Sequence, residues 1–386
     1  MILKTYGWSF GVTVLGLVLA GWYGLSAHLG LGQALLLVVI LCILEISLSF
    51  DNAVVNATIL ERMSEFWQKI FLSVGIIIAV FGMRLVFPIV LVSATTGLSP
   101  IETVNLALER GDPETPGSYG YELQEAHPTI ASFGGMFLLM LFLNFIFGEK
   151  ENHWLGFIER PLEKVGKLES VQVIVAGIVL FVAAETFAAD HAQTVLASGL
   201  AGVLTYLVVN GLGELFNVEE HLEHQDEHAS GAVGAEGHAV PGERSSGPTQ
   251  VAKATGKAAF FLFLYLEVLD ASFSFDGVIG AFAVTTDPII IAIGLGVGAM
   301  YIRSMTVHLV REGTLQQYRF LENGALWAIG ALATILIISI EVHVPEVVTG
   351  LIGLAFIIAA LISSIAYNRK HPEVDSHVGV EHAEAH

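Results

Sequence analysis

Apolar positions along this chain fall in long unbroken blocks, not in the alternating or every-third-or-fourth pattern of a soluble domain. A block of about 20 apolar residues is long enough to cross bilayer hydrocarbon as a helix. Such blocks recur near 8–28, 33–60, 68–93, 129–147, 171–190, 194–214, 257–282, 287–310, 324–341 and 345–367. The pattern predicts an all-α polytopic membrane protein with about ten transmembrane helices, because a helix satisfies its own backbone where water is absent. The first block, after Lys4, is longer than the apolar core of a secretory signal, so residues 1–30 are read as an extra, retained N-terminal helix.

The polar interruptions divide the chain. Residues 31–216 form a first membrane half and 257–368 a second. Within the first half, 94–128 is a long extracytoplasmic segment. The stretch 149–168, "EKENHWLGFIERPLEKVGKL", is too polar to span and reads as an interfacial helix that Pro161 bends or ends. Residues 217–256 carry His221, His224, His228 and His238 among acids, Gly and Ser; that composition buries no core and predicts a disordered linker. The tail 369–386 is similar.

Basic residues set the orientation. Arg62 and Lys69, Lys150 to Lys167, Lys253 and Lys257, Arg311 and Arg319, and Arg369 and Lys370 all fall on one side under strict alternation. That side is expected to be cytoplasmic, with both termini there, and the membrane to be a bacterial inner membrane. The opposite connections carry Arg110 as their only basic residue.

Composition agrees. Of 386 residues, 54% are hydrophobic and 14% charged, against roughly a quarter charged in a soluble domain. The net charge of −20 argues against nucleic acid, whose phosphates need Lys and Arg. One cysteine, Cys42, permits no disulfide framework.

One block is chemically out of place. Residues 41–61, "LCILEISLSFDNAVVNATILE", hold Glu45, Asp51, Asn52 and Asn56 among apolar neighbours. Residues 266–282, "LEVLDASFSFDGVIGAF", repeat it at a shift of 225, from 45 to 270 and from 51 to 276. Ser49 meets Ser274, Asp51 meets Asp276, and Glu45 meets Asp270; Glu267 meets Cys42 and breaks the pattern. Arg84 in "FGMRLVF" has a looser counterpart in Arg303 of "GAMYIRS". The copies lie on the second and seventh blocks, an odd offset of five spans, so they cross in opposite directions. That predicts two inverted-topology repeats with a site at the midplane.

An acid at mid-membrane costs roughly 2.5–3.5 kcal/mol, so Glu45, Asp51, Asp270 and Asp276 unpaired would cost on the order of 10 kcal/mol. Two arginines offset only part of that. At 3.6 residues per turn, Glu45, Ser49, Asn52 and Asn56 form one stripe, and Glu267, Asp270 and Ser274 another. Carboxylate, amide and hydroxyl oxygens suit hard cations: Mn²⁺, Ca²⁺ or Mg²⁺. The expected metal-holding set is Glu45, Asp51, Asn52, Asp270 and Asp276. Ser49, Ser274 and Glu267 support it, and Arg84 and Arg303 act as counter-ions. The competing reading is that these acids merely pair with Arg84 and Arg303 and lock helices together. Glu185, Asp190 and His191 mark a gate or proton path, or else a satisfied polar cluster at a helix end. Asn144 and Asn210 read as interhelical hydrogen-bonders, and Asp287 before Pro288 as an N-cap. If the histidine-rich linker collects metal, Zn²⁺ joins the list.

"ISLSFDNAVV" and "DASFSFDGVIGAFAVTTDP" resemble the paired motifs of the TerC-type (tellurium-resistance) membrane proteins of the LysE-type exporter superfamily. The resemblance implies inverted repeats and, in related branches, manganese or calcium export. The segment 94–128 and the histidine-rich linker make this a larger, divergent subgroup. The expectation is a divalent cation exporter, Mn²⁺ favoured, with proton antiport. The alternative is a non-transporting scaffold subunit of a metal- or tellurite-resistance complex. No nucleotide-binding loop and no GxGD protease pattern is present, so no enzymatic activity is expected. The sequence leaves a homo-oligomer open.

Overall fold

The computed structural model describes residues 2–27, 29–150, 152–186, 188–231, 254–282, 284–311, 317–342 and 344–371. The first half comprises α1 (Ile2–Ser26), α2 (Leu31–Leu48), α3 (Phe50–Leu60), α4 (Glu65–Ile77), a π-helical stretch (Ile78–Val86), α5 (Phe87–Thr96), α6 (Pro100–Leu108), α7 (Tyr119–Glu125), α8 (His127–Phe147), α9 (Gly156–Val165), α10 (Val171–Glu185) and α11 (Ala192–Gly231). The second comprises α12 (Gly256–Phe282), α13 (Pro288–Arg311), α14 (Leu321–Ser339) and α15 (Glu346–Lys370). Every apolar block predicted to span is helical, block 33–60 as α2 and α3 and block 68–93 as α4, the π-helical stretch and α5. Among the described residues, nine spans are long and apolar enough to cross a membrane, and α10 is a shorter apolar helix of 15 residues. This is an all-α polytopic membrane protein.

Exposure follows the bilayer logic. Trp8, Val14, Val18 and Trp22 of α1 and Ile174, Ile178 and Phe181 of α10 are exposed, as apolar side chains facing lipid must be. Helices α8 and α13 are the most enclosed, with 72% of each apolar window buried. Two apolar clusters fill the interior. One joins α3 and α4 with α8, α11, α12 and α14. The other joins α1, α2 and α7 with the last turns of α12 and the start of α13.

Three details depart from the sequence reading. The block 33–60 is interrupted at Ser49, whose backbone (φ −102°, ψ 15°) leaves the helical region. Bonds from Ser49 N to Glu45 O (3.0 Å) and from Ala53 N to Ser49 O (3.3 Å) carry the chain across the break. Pro161 lies inside α9 rather than ending it. Helix α11 continues to Gly231, past the expected end of its span, where "EEHLEHQDEH" is rich in helix formers. Of the linker, residues 232–253 lie outside the described residues, as does the tail from 372.

The far end of the linker is pinned. Ala254 forms a parallel bridge with Met63, Ser64 N donating to Ala254 O (3.0 Å) and Ala254 N to Arg62 O (2.9 Å). This places the start of α12 beside the end of α3, so the two helices run antiparallel. Helix α9 is docked through Glu159, which is fully buried and accepts from Trp154 N (3.1 Å), Leu155 N (3.2 Å) and Trp327 Nε1 (2.9 Å). Nearby, a hydrogen bond with His153 (2.6 Å) holds the Glu163 carboxyl below the usual carboxylate range.

Candidate functional site

The two motif helices meet. Asn52 Nδ2 of α3 donates to Asp270 Oδ1 of α12 at 2.8 Å, and both residues are buried. Toward the other end, a Cβ added to Gly277 of α12 would lie 3.2 Å from Glu45 Oε2 of α2. The shift of 225 that carries 45 to 270 also carries 52 to 277, so it exchanges one of these contacts for the other. Sequence reasoning paired Glu45 with Asp270 by position but did not foresee that each would face the other copy's Asn52 or Gly277.

Each acid has a guanidinium from the span that follows it. Arg84, in the π-helical stretch, pairs with Glu45 Oε1, both buried. Its Nη1 donates back to Ala79 O at 2.5 Å, and Ser49 Oγ donates to the same Glu45 oxygen at 3.1 Å. Arg303 of α13 lies 3.4 Å from Glu267 Oε1 and 3.6 Å from Asp270 Oδ2. Its Nη1 donates to Phe71 O at 2.9 Å, and the guanidinium lies 4.1 Å from the Phe71 ring centroid. Among the described side chains the two sides are unequal: Arg84 has one carboxylate, whereas Arg303 is shared by two.

Among the described side chains, three buried carboxylates face two guanidinium groups. Among the described residues, Glu267 Oε2 and Asn56 Oδ1, one turn beyond Asn52, have no hydrogen-bond donor, and Asp270 Oδ2 has no positive neighbour beyond Arg303 at 3.6 Å. A buried acceptor without a donor is costly, so a further positive group would be most stabilised beside Glu267 Oε2. No group of three or more His, Cys, Asp or Glu is arranged to hold a metal among the described residues. Asp51 begins α3 and Asp276 lies in α12, but their side chains, and that of Ser274, lie outside what is described.

Two glycines make this packing feasible, and the sequence reading missed both. A Cβ on Gly298 of α13 would stand 2.5 Å from Glu45 Cβ, and one on Gly75 of α4 would stand 2.7 Å from Glu267 Oε1. Each acid is thus approached by a bare helix surface from the opposite half, the small-residue crossing common in membranes. The π-helical stretch that carries Arg84 was not foreseen either; such segments concentrate at functional sites.

Residues 50–371 match a family described as "Protein of unknown function (DUF475)". The chain belongs to this family. The matched span contains Arg84, Glu267, Asp270, Asp276 and Arg303 and begins just before Asp51, so α2 with Glu45 precedes it. Comparison with curated proteins and with solved structures gave no match.

The remaining expected residues lie elsewhere. Glu185 ends α10, and Asp190 and His191 form the turn into α11; all three are exposed. Helix α10 packs on α8 and α11 rather than on the motif helices. Asn144 is exposed instead of bonding across helices. Asp287 does cap α13, its Oδ1 accepting from Ile289 N (3.0 Å) and Ile290 N (3.2 Å).

Proposed function

We propose that this DUF475 protein moves a divalent cation across the membrane through a site between α2–α3 and α12. The observation that carries the reading is the shared guanidinium: Glu267 and Asp270 are both buried and divide one Arg303 between them, and among the described residues Glu267 Oε2 has no donor. Asp51 and Asp276 add two more acids on the same helices. Burying this much negative charge requires compensation by a cation or a proton. The antiparallel course of α3 and α12, and the exchange of contacts under the 225-residue shift, support an inverted repeat whose halves rock about the site. The TerC resemblance favours Mn²⁺ and export, with Ca²⁺ and Mg²⁺ compatible with the same oxygens and Zn²⁺ if the linker histidines take part. Protonation of an acid on release makes the cycle a proton antiport. The basic connections favour a cytoplasmic location for both termini.

The closed Glu45–Arg84 pair favours a second reading. If the acids serve only to lock helices, the protein is a non-transporting scaffold of a resistance complex. Purified protein in liposomes containing a Mn²⁺-quenched dye separates the two. Transport predicts Mn²⁺-dependent quenching that Asp51→Asn and Asp276→Asn each abolish while the protein stays folded. No quenching by the folded wild type, or normal flux in both variants, removes the transport reading.

A further inference from the structure

We propose that Arg110, Tyr23 and Asp287 form a latch. It holds the α6–α7 segment closed over one end of the motif helices and must open before anything reaches the carboxylates from that end. The inference rests on the transport reading for its purpose, but its geometry stands by itself.

The three residues come from three separate pieces of the chain: the last turns of α1, the turn after α6, and the N-terminus of α13. Arg110 Nε lies 3.0 Å from Asp287 Oδ2. Arg110 Nη2 donates to the Tyr23 hydroxyl at 2.6 Å, and that hydroxyl donates to Asp287 Oδ2 at 3.1 Å. The triangle is closed, and each corner holds the other two. Asp287 is buried, whereas the Arg110 side chain is 31% exposed, so the arginine is the corner that water reaches. Its backbone is left-handed (φ 55°), unusual for a residue other than glycine. Arg110 is also the one basic residue in the connections on this side of the membrane.

What the latch holds down is a plug. Tyr119 and Leu123 of α7 share an apolar cluster with Val278 and Ala281 of α12 and with Val38 and Leu41 of α2. The Tyr119 ring lies 5.9 Å from that of Phe282. Val278 follows Gly277, which faces Glu45, so the plug begins within about one helical turn of the site. Arg110 opens the turn in which Asp112 O accepts from Ser118 Oγ (2.8 Å), the N-cap of α7, so separating α7 from the end of α12 pulls Arg110 away from Asp287, which caps α13. Opening at this end and an intact triangle are mutually exclusive.

The test reads opening directly and needs no flux. In a Cys42→Ala background, Ala281→Cys places a thiol beneath the plug, at a position now fully buried. The full chain in nanodiscs exposes both faces to a soluble maleimide. Asp287→Asn keeps the cap, since asparagine also accepts from Ile289 N and Ile290 N, but removes the charge that Arg110 holds. Asp287→Asn and Arg110→Gln are each expected to raise the labelling rate roughly tenfold by populating the open form. The two together should do no more than either alone. A reporter at the opposite end of α12, Ala259→Cys, should not respond. Unchanged labelling of Ala281→Cys overturns the latch. So does an equal rise at Ala259→Cys, which marks general loosening. A labelling response without Mn²⁺ flux leaves the latch standing and removes the transport reading alone.

Discussion

Removing Arg303 is the perturbation whose consequence follows most directly from the geometry. The guanidinium lies 3.4 Å from one Glu267 oxygen and 3.6 Å from one Asp270 oxygen. At an effective dielectric constant near 20, each attraction is about 5 kcal/mol before desolvation is charged against it. Truncating one partner of a buried pair typically costs about 3–5 kcal/mol, because the other charge stays buried alone. Here two carboxylates are stranded at once, and the contacts with the Phe71 carbonyl and ring go as well. Arg303→Met is therefore expected to lower the unfolding free energy by at least about 3 kcal/mol. Glu267→Gln removes one of the two anions competing for Arg303 and leaves a balanced pair, so it should change stability by less than about 1 kcal/mol. Combining it with Arg303→Met should recover part of the loss, with a coupling of about 0.5–3 kcal/mol. Reversible unfolding in mixed micelles, followed by tryptophan fluorescence, measures all three. A cost below about 1 kcal/mol for Arg303→Met, or an equal cost for Glu267→Gln, refutes the idea of one guanidinium shared by two buried acids.

The crossing glycines give a second test: Gly298→Ala and Gly75→Ala should each destabilise by about 1–3 kcal/mol through overpacking against Glu45 and Glu267. Gly211→Ala, which meets nothing within 4 Å, should be neutral or stabilising in the same unfolding assay. Glu159→Ala strands three N–H donors and should cost about 3 kcal/mol or more, read as unfolding or as early proteolysis of the α8–α9 loop. The Ser99–Glu102 capping box at the start of α6 holds the Glu102 carboxyl below its usual range, chiefly through the Ser99 hydrogen bond. Its contribution is present above the normal carboxylate pKa and lost as pH falls through the lowered one. The stability gap between wild type and Glu102→Ala should therefore close on acidification, and a gap that widens would contradict the cap.

Much of this was legible in the sequence because membrane spans announce themselves by length and hydropathy, and because an acid in hydrocarbon must have a partner. The blocks found their helices, and Glu45, Asp270, Arg84 and Arg303 are buried together as their positions required. The repeat pairs Asp270 with Glu45, and both are buried beside an arginine, but Glu267 breaks the repeat and still shares Arg303, since charges pair across helices by reach rather than by register. Gly75 and Gly298 look like any helical glycine until one knows which spans cross at those points. Arg110 and Asp287 are 177 residues apart (from 110 to 287), and no periodicity links them. The break at Ser49 and the π-helical turns around Arg84 are local adjustments to packing, and local propensity does not encode them.

In the transport proposal, buried acids of the two motif copies hold a cation between them. Anomalous scattering from crystals of the full chain soaked in Mn²⁺ tests it most directly. A peak is expected between α3 and α12, within ligand distance of Asp270 and absent in Asp270→Asn. Ordered density for the site with no peak there, or a peak only at surface histidines, contradicts it.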